Sequence, residues 1–234
     1  MTNTECIEKI KTYPHFVVAV DGPSSAGKST VAKRIAELLG IDYIDTGAMY
    51  RAIALKILNE NIDIPDEITQ ATTDQLKEML DRTTVDLKDG LVLLDDNDVS
   101  GLIRTPEVTM MASKSSALQI IREKLVALQR IMGEKKSVIM DGRDIGSNVF
   151  PNADYKFYVI ASSEVRANRR YKEMLEKGMD VNYDDVLADI EKRDYDDSHR
   201  AINPLCKTDD AIEVDTDNME IEEVVSCMLE AISE

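Results

Sequence analysis

The sequence predicts an α/β protein with a parallel, doubly wound sheet of about five strands wrapped by helices. Three observations indicate this class. Short apolar, β-branched runs alternate with stretches whose apolar residues recur at helical spacing. The first of these runs leads through a glycine-containing loop straight into a helical pattern. The alternation is interrupted once, between residues 61 and 104, where turn signals separate short strand-like runs.

Length and composition place the chain among globular proteins. Its 234 residues, 43% of them hydrophobic and 31% charged, are enough for one domain with an insertion or for two small ones. No run approaches the roughly 18 apolar residues of a membrane span, and the N-terminus lacks the apolar stretch of a signal peptide. Cys6, Cys206 and Cys227 are far apart and odd in number, which favours free thiols and a cytoplasmic location.

The charge distribution indicates a small anionic ligand. A net charge of −17 argues against a nucleic-acid polymer as partner, because phosphate backbones need a basic face. The positive charge that exists is concentrated: seven of the twelve arginines lie in or near the motif-like segments described below. These seven are Arg51, Arg143, Arg166, Arg169, Arg170, Arg193 and Arg200. An acidic chain arranged in this way is expected to handle a small polyanion.

The first apolar run and the loop after it predict a nucleotide-phosphate site. Residues 16–20 form the strand, and residues 22–29 match G-x-x-x-x-G-K-[ST] at every fixed position. Such a loop turns backbone N–H groups toward an anion at a helix N-terminus, with Lys28 directed at the β- and γ-phosphates and the Ser29 hydroxyl at Mg²⁺. The residues predicted to bind the donor nucleotide are Gly22, Pro23, Ser24, Ser25, Ala26, Gly27, Lys28, Ser29 and Thr30. The loop alone leaves open a kinase, a GTPase or an ATP-driven machine.

A second strand candidate, residues 41–44, ends in the segment 45–51, after which a helical pattern begins. Thr46 is a candidate N-cap for that helix. Arg51 would then lie near the first turn, where a cation works against the helix dipole. This unfavourable placement favours a functional role for Arg51.

The interrupting segment, residues 61–104, predicts a small α+β insertion. Asp89-Gly90 is a hairpin-turn signal between runs 85–87 and 91–94, a third short run covers 98–100, and a helix is expected around 73–80. Thr105-Pro106 opens a further helical pattern that continues to about residue 132.

The third core strand, residues 137–140, ends in a cluster of charged and glycine residues at 141–146. Polar groups at the carboxyl end of a sheet strand face the ligand crevice of open α/β folds. Two further strands are expected at 156–160 and 211–214. Three more helical stretches, 163–177, about 183–198 and 218–234, complete the chain; salt-bridged surface helices are the simpler interpretation of the first two.

Taken together, the segments resemble the bacterial cytidylate kinase family of nucleoside monophosphate kinases. The resemblance covers nearly the whole chain and rests on five motifs in order: DGPSSAGKST, DTGAMYR, DVSGLIRTPEV, DGRDIGSNVFP and the RD…R segment at 193–200. It implies a kinase core at 1–60 and 105–234, a lid at about 163–195 and a nucleotide-binding insertion at 61–104. It also implies ATP, Mg²⁺, and CMP or dCMP as small-molecule ligands.

The resemblance also implies roles for individual residues. Arg51, Arg143 and Arg200 would bind the acceptor phosphate, Arg193 and Asp197 the ribose, and Ser113, Arg122 and Asp144 the cytosine. Thr46, Tyr50 and Asp141 are further expected substrate ligands. Lys28, Arg143, Arg169 and Arg170 are the expected catalytic residues, and Arg166 is expected to help bind ATP. No role is assigned to His199.

The base assignment is chemically reasonable. Cytosine offers an N4 amino donor, which the carboxylate of Asp144 can accept, whereas uracil presents an O4 acceptor there. The alternatives are a kinase of another small acceptor (UMP, dTMP, AMP or shikimate) and an ATP-dependent switch. Because the sequence contains no Asn-Lys-x-Asp segment, a GTPase is disfavoured. Because the sequence shows no long exposed apolar stripe, we expect a monomer.

Overall fold

The structure, a computed structural model, describes residues 1–88 and 90–234; Asp89 of the predicted hairpin turn lies outside the described residues. The strands of that part of the chain are β1 Val17–Asp21, β2 Asp42–Asp45, β3 Val85–Lys88, β4 Leu91–Leu94, β5 Asn97–Asp98, β6 Val138–Asp141, β7 Tyr155–Ile160 and β8 Ile212–Asp215. The helices are α1 Asn3–Ile10, α2 Lys28–Leu39, α3 Thr46–Asn59, α4 Gln70–Asp81, α5 Pro106–Ser115, α6 Gln119–Lys135, α7 Ser163–Glu176, α8 Tyr183–His199 and α9 Ile221–Ser233. The chain divides into two compact units, Met1–Ile44 with Gly133–Glu234, and Asp45–Met132.

The larger sheet confirms the predicted fold class. Its five described strands follow the order β2-β6-β1-β7-β8, and β1 pairs in parallel with both β6 and β7, while β7 pairs in parallel with β8. Every residue of β1 is buried, as expected for the central strand of a sheet covered on both faces. Val20 is in register with Asp141, so the carboxyl ends of β1 and β6 meet at one edge of the sheet.

Helices α2 and α9 supply much of the apolar cover of this sheet. Ile35 of α2 and Met228 of α9 belong to the same buried cluster as Phe157 of β7. The helix α1 was not predicted from the sequence. It begins at a capping box in which Thr2 and Glu5 satisfy each other's backbone N–H groups, and it packs on α9.

The second unit contains a three-stranded antiparallel sheet, β3-β4-β5, in the described part of residues 45–132. Val85 pairs with Leu94, as the predicted hairpin requires. In the same unit, α3 packs against α5.

Two local predictions for this unit are wrong. Asp45, not Thr46, caps α3: its carboxylate accepts the backbone N–H of Ala48 at 2.8 Å, and Thr46 is the first helical residue. The helical pattern after Thr105 also does not run unbroken to residue 132, because α5 ends at Ser115 and α6 begins at Gln119. In the break, the Ser116 hydroxyl donates to the carbonyl oxygen of Ser113, a local side-chain bond that competes with continued helix.

Helices α7 and α8 pack against each other through a small apolar cluster formed by Ala167, Val186 and Ile190. They begin at Ser162 and Asn182, whose side chains cap the first turns. Neither α7 nor α8, nor any other helix in residues 1–88 and 90–234, has the length and apolar character needed to cross a membrane.

Candidate active site

Residues 22–29, here named the phosphate loop, connect β1 to α2. The backbone conformation of this loop requires glycine at two positions. Gly22 has φ +143°, and a Cβ there would lie 2.0 Å from the carbonyl oxygen of Val159. Gly27 has φ +91° and occupies the N-cap position of α2, where no side chain caps the helix. The first-turn N–H groups of α2 are therefore directed to the loop, where an anion can accept them.

The Lys28 side chain is buried beside this loop, and its Nζ donates to the carbonyl oxygen of Pro23 at 2.5 Å. Burial lowers the pKa of Lys28 well below its usual value, and the positive charge of Arg143 lowers it further, against the opposing effect of Asp141 and Asp21. Added negative charge would stabilise the protonated amine. The loop therefore places a cation where phosphate oxygens are the expected partners.

Ser29 and Asp141 bring two oxygen atoms together next to the phosphate loop. The Ser29 hydroxyl donates to Asp141 Oδ2 at 2.7 Å, and the Tyr43 hydroxyl donates to Asp141 Oδ1 at 2.9 Å. In residues 1–88 and 90–234, no group of three or more His, Cys, Asp or Glu side chains forms a metal-binding cluster. One hydroxyl and one carboxylate fit Mg²⁺, which usually takes one or two protein oxygens and completes its shell with water and substrate phosphates.

Residues 141–150, here named the acceptor segment, follow β6 at the same edge of the sheet. Arg143 Nε donates to Asp197 Oδ2 at 2.7 Å, and Arg200 Nη2 donates to Asp144 Oδ1 at 3.1 Å. Burial raises the pKa of Asp197, but the charge of Arg143 and its hydrogen bond outweigh burial and leave the pKa lowered. Four of the predicted CMP ligands thus form two cation–anion pairs in one place.

Arg193 and Asp197 lie one helical turn apart on α8, so both side chains are on the same face of that helix. The charge of Arg193 further lowers the pKa of Asp197, after the larger effect of Arg143. The structure therefore brings together Arg143, Asp144, Arg193, Asp197 and Arg200, five residues to which the resemblance assigned roles toward CMP.

The three arginines of α7 differ in their surroundings. Arg166 is buried and donates to the carbonyl oxygens of Ala161 and of Ser24 in the phosphate loop, and to Asp194. Arg169 donates to the backbone and hydroxyl oxygens of Thr216.

Arg170 is partly exposed and pairs with Glu173 on its own helix, 3.2 Å away. Their roles toward ATP stay predictions. Arg170 has the greatest freedom to reorient, because an exposed pair within one helix stabilises little.

In the unit formed by residues 45–132, the Arg51 guanidinium lies 3.3 Å from Asp45 Oδ2. Arg104, at the same distance from the same oxygen, was not predicted as a site residue, although it lies inside the motif DVSGLIRTPEV. The Arg122 guanidinium is buried, donates to the carbonyl oxygen of Ser116 and lies 5.7 Å from the ring centre of Tyr50.

Ser113 is exposed on α5, and Thr46 is buried in the first turn of α3.

Comparison with known proteins decides the family. The model of the family described as Cytidylate kinase matches residues 18–234. The chain belongs to the cytidylate kinase family. This membership confirms the resemblance that the five sequence motifs carried, and with it the prediction of a phosphotransferase that uses ATP.

Individual cytidylate kinases match over almost their full length. The chain is 52% identical to the "Cytidylate kinase" of Lactobacillus johnsonii over 92% of this chain and 93% of that protein. It is 47% identical to the "Cytidylate kinase" of Bacillus subtilis, over 93% and 96% of the two chains. A solved structure of an uncharacterized protein from Eubacterium ventriosum is similar in fold alone, with 14% identity, a TM-score of 0.50, and 94% and 99% coverage.

Two residues whose hydrogen bonds position the site were not predicted from the sequence. Asp21, the last residue of β1, accepts the backbone N–H groups of Ile145 and Gly146 at 2.8 and 2.7 Å. Asn148 donates to Asp144 Oδ2 at 3.0 Å. Both residues lie within motifs quoted above, but only the folded chain shows which partners they contact.

Proposed function

We propose that this protein phosphorylates CMP and dCMP with ATP and Mg²⁺, giving the nucleoside diphosphates and ADP. Family membership supports CMP as acceptor and ATP as donor. The observation that carries the proposal is the pairing of β1 with β6, because it puts the ends of both strands at one edge of the sheet. The phosphate loop follows β1 there, and the acceptor segment follows β6. A phosphoryl donor bound at the phosphate loop and an acceptor bound at the acceptor segment would then lie next to each other.

The donor side of the proposal assigns the triphosphate to the phosphate loop and Lys28. Ser29 and Asp141 would hold Mg²⁺; the contact of Asp141 with Ser29 favours this role for Asp141 over contact with CMP. Mg²⁺ bound there would neutralise negative charge on the β- and γ-phosphates. Arg166, Arg169 and Arg170 are proposed lid residues. Of these, Arg170 is the best candidate to reach the transferred phosphoryl group, since Arg166 and Arg169 are held by backbone carbonyls.

The acceptor side assigns the CMP phosphate to Arg143 and Arg200 and the ribose to Arg193 and Asp197. Both phosphate-binding arginines have carboxylate partners in this structure, so a phosphate dianion would compete with Asp197 and Asp144 for them. Arg forms bidentate, charge-assisted bonds with phosphate, which makes that exchange favourable.

Further proposed CMP ligands come from the unit 45–132. They are Thr46, Tyr50, Arg51, Ser113 and Arg122, with Arg51 on the phosphate and Ser113 and Arg122 on the base. The cation–π contact of Arg122 with Tyr50 supports this assignment, because it links two of the proposed ligands.

The reaction needs no general base. The attacking group is an oxygen of the CMP phosphate, which is already anionic near neutral pH, so the protein must hold two polyanions in line and stabilise the charge of a loose transition state. Lys28 is buried and Arg143 is half-buried, and both cations have fixed partners. Fixed charges in a water-poor site stabilise a transition state without reorganising.

Base recognition is proposed for Asp144. Asp144 is 5% exposed and lies three residues after the end of β6, where its carboxylate can accept the N4 amino group of cytosine. Uracil would place O4 against the same oxygen, and two facing acceptors in a buried site discriminate strongly.

A coupled ADP-release assay with ATP, Mg²⁺ and a panel of CMP, dCMP, UMP, AMP and dTMP tests the proposal. We expect turnover confined largely to CMP and dCMP, and a fall of at least about tenfold in the CMP-to-UMP ratio of kcat/KM for Asp144→Ala. Preferred turnover of another acceptor would refute the specificity. A cytoplasmic location and a monomeric state stay predictions; sedimentation in solution measures the second.

A further inference from the structure

Two carbonyl oxygens of the phosphate loop are held by buried side chains from distant parts of the chain. Arg166 Nη1 donates to the carbonyl oxygen of Ser24 at 3.2 Å, and the Thr216 hydroxyl donates to that of Ala26 at 3.2 Å. Arg166 lies on α7 and Thr216 directly follows β8, so the partners are 142 and 190 positions apart. Both side chains belong to residues that are less than 5% exposed: Arg166 is 4% and Thr216 is 3% exposed.

The guanidinium of Arg166 is fixed by two further bonds. Its Nε donates to the carbonyl oxygen of Ala161 at 2.9 Å, and its Nη2 donates to Asp194 Oδ2 at 2.5 Å. A guanidinium is planar and presents its N–H donors in a rigid fork, so bonds to Ala161 and Asp194 also set the direction of the third nitrogen. Arg166 is therefore a rigid donor to Ser24.

Thr216 is fixed in a similar way by Arg169. Arg169 Nη1 donates to Thr216 Oγ1 at 3.1 Å, and Nη2 donates to the Thr216 carbonyl oxygen at 2.6 Å. Because Oγ1 accepts a bond from Arg169, its own proton is available to carbonyl oxygens, and those of Ala26 and Ile160 lie 3.2 and 3.1 Å away. The hydroxyl shares one proton between these two carbonyls. Arg169 thus makes Thr216 a donor toward the loop.

Peptide planarity extends the effect of these bonds to the next residue. In a planar trans peptide, the C=O group and the following N–H group point in opposite directions. A fixed Ser24 carbonyl therefore fixes the N–H of Ser25, and a fixed Ala26 carbonyl fixes the N–H of Gly27. Ser25 has φ +60°, a left-handed conformation that is uncommon outside glycine and persists where the surroundings enforce it.

We propose that Arg166 and Thr216 are positioning residues for the phosphoryl donor. Each holds one peptide of the phosphate loop so that the N–H group on the other side of that peptide faces the triphosphate of ATP. The inference rests on the proposed role of the phosphate loop, and both residues act through this loop without contacting ATP. N–H groups that are oriented before ATP arrives bind its phosphates without the cost of ordering the loop.

Thr216→Val tests the smaller of the two contacts, because it removes the hydroxyl and keeps the branched shape of the side chain. We expect the Kd for MgATP, measured by calorimetry without CMP, to rise about fivefold, while the Kd for CMP stays at the wild-type value. Thr216→Ser keeps the hydroxyl and should restore the Kd for MgATP. Thr12→Val is the matched control: it also removes a hydroxyl that donates to a backbone carbonyl, that of Lys9 at 2.7 Å, and should leave both Kd values unchanged.

Arg166→Lys tests the larger contact. Lysine keeps a positive charge beside Asp194 but lacks the planar fork that joins Asp194, Ala161 and Ser24. We expect the Kd for MgATP to rise at least about tenfold, again without a change for CMP. Arg34→Lys makes the same exchange at an exposed arginine paired with Glu222 and should bind both nucleotides as the wild type does.

The outcomes separate this inference from the proposed function. A wild-type Kd for MgATP in both Thr216→Val and Arg166→Lys would overturn the inference. A raised Kd in Arg166→Lys alone would indicate direct contact of Arg166 with ATP and would overturn positioning through the loop. An equal loss of affinity for MgATP and CMP would indicate a general structural role and also overturn it. If the wild type binds MgATP but does not phosphorylate CMP, the proposed function fails, while the expected Kd changes would still support the inference.

Discussion

The phosphate loop and the acceptor segment end neighbouring strands of one sheet, yet they are built in different ways. The phosphate loop presents backbone groups from one contiguous stretch, set by Gly22 and Gly27. The acceptor segment presents side chains whose geometry depends on distant partners: Arg143 pairs with Asp197, 54 positions later, and Asp144 with Arg200, 56 positions later. A backbone site depends on a local sequence, whereas a side-chain site depends on how α8 packs.

The difference also concerns charge. The phosphate loop has Lys28 as a buried cation whose pKa is lowered, mainly by burial. In the acceptor segment, each arginine of the two ion pairs has its own carboxylate. Phosphate binding to the loop would therefore add negative charge beside an amine that donates to a backbone carbonyl, whereas binding to the acceptor segment would exchange one anion for another.

Removing Lys28 should produce the largest effect on the phosphate-loop side. In Lys28→Ala we expect kcat to fall at least about a hundredfold, within the range for loss of one preorganised charge or donor. Steady-state ADP release measures it. Lys33→Ala, which removes an exposed lysine from the same helix, is the control and should keep wild-type turnover. Near-normal turnover in Lys28→Ala would refute the catalytic role.

Arg143→Ala is the corresponding test of the acceptor segment. We expect a fall of at least about a hundredfold in kcat, because a cation that stabilises the transferred charge is lost. Unlike Lys28→Ala, this variant should also lose stability, by about 1–3 kcal/mol, since Asp197 loses its closest cation. Urea unfolding measures that loss.

The control for this variant is Arg34→Ala, in which an exposed arginine with surface partners is removed. It should change neither turnover nor stability appreciably. If Arg143→Ala and wild type have the same free energy of unfolding, the ion pair of the acceptor segment does not stabilise the fold.

Asp21 connects the end of β1 to the acceptor segment. Its ionisation makes the stability of the folded protein depend on pH. Burial raises the pKa of Asp21 to about 6, against the opposing effect of the Ile145 and Gly146 N–H groups. A carboxyl group whose pKa is raised on folding favours the folded state at low pH, and this contribution is lost as pH rises from about 4 to about 6.

In Asp21→Asn the group cannot ionise. The free energy of unfolding of wild type relative to Asp21→Asn should therefore decrease by about 2–3 kcal/mol between pH 4 and pH 7. Urea titrations of both proteins at the two pH values measure this difference. A constant difference across that interval would show that Asp21 has an ordinary pKa in the folded state.

Ser29→Ala is expected to have the smallest effect. It removes one proposed Mg²⁺ ligand and the hydroxyl that orients Asp141, so the Mg²⁺ concentration for half-maximal activity should rise by about tenfold. Ser29→Thr keeps the hydroxyl and should restore the wild-type value. If Ser29→Ala shows an unchanged Mg²⁺ requirement, the serine does not take part in metal binding.

The sequence was a good guide wherever structure depends on neighbouring residues. The strand, loop and helix from Val17 to Leu39 and the proline-led start of α5 were predicted from local patterns, and the motifs carried the family. The sequence was a poor guide where neighbouring residues compete to cap or to end a helix. Asp45 caps α3 in place of Thr46, and the serines after Ala112 break a pattern that predicted one helix.

What the sequence determined by itself was the fold class, the phosphate loop and the identity of the charged residues, because periodicity, glycine positions and residue chemistry are local properties. Tertiary structure alone decided the partners. That Asp21 holds the turn after Asp144, that Asn148 contacts Asp144, and that Arg166 is buried against Ser24 follow from parallel strand pairing and helix packing. These interactions join residues up to 142 positions apart, and the pairing of such distant groups is fixed only when the sheet has assembled.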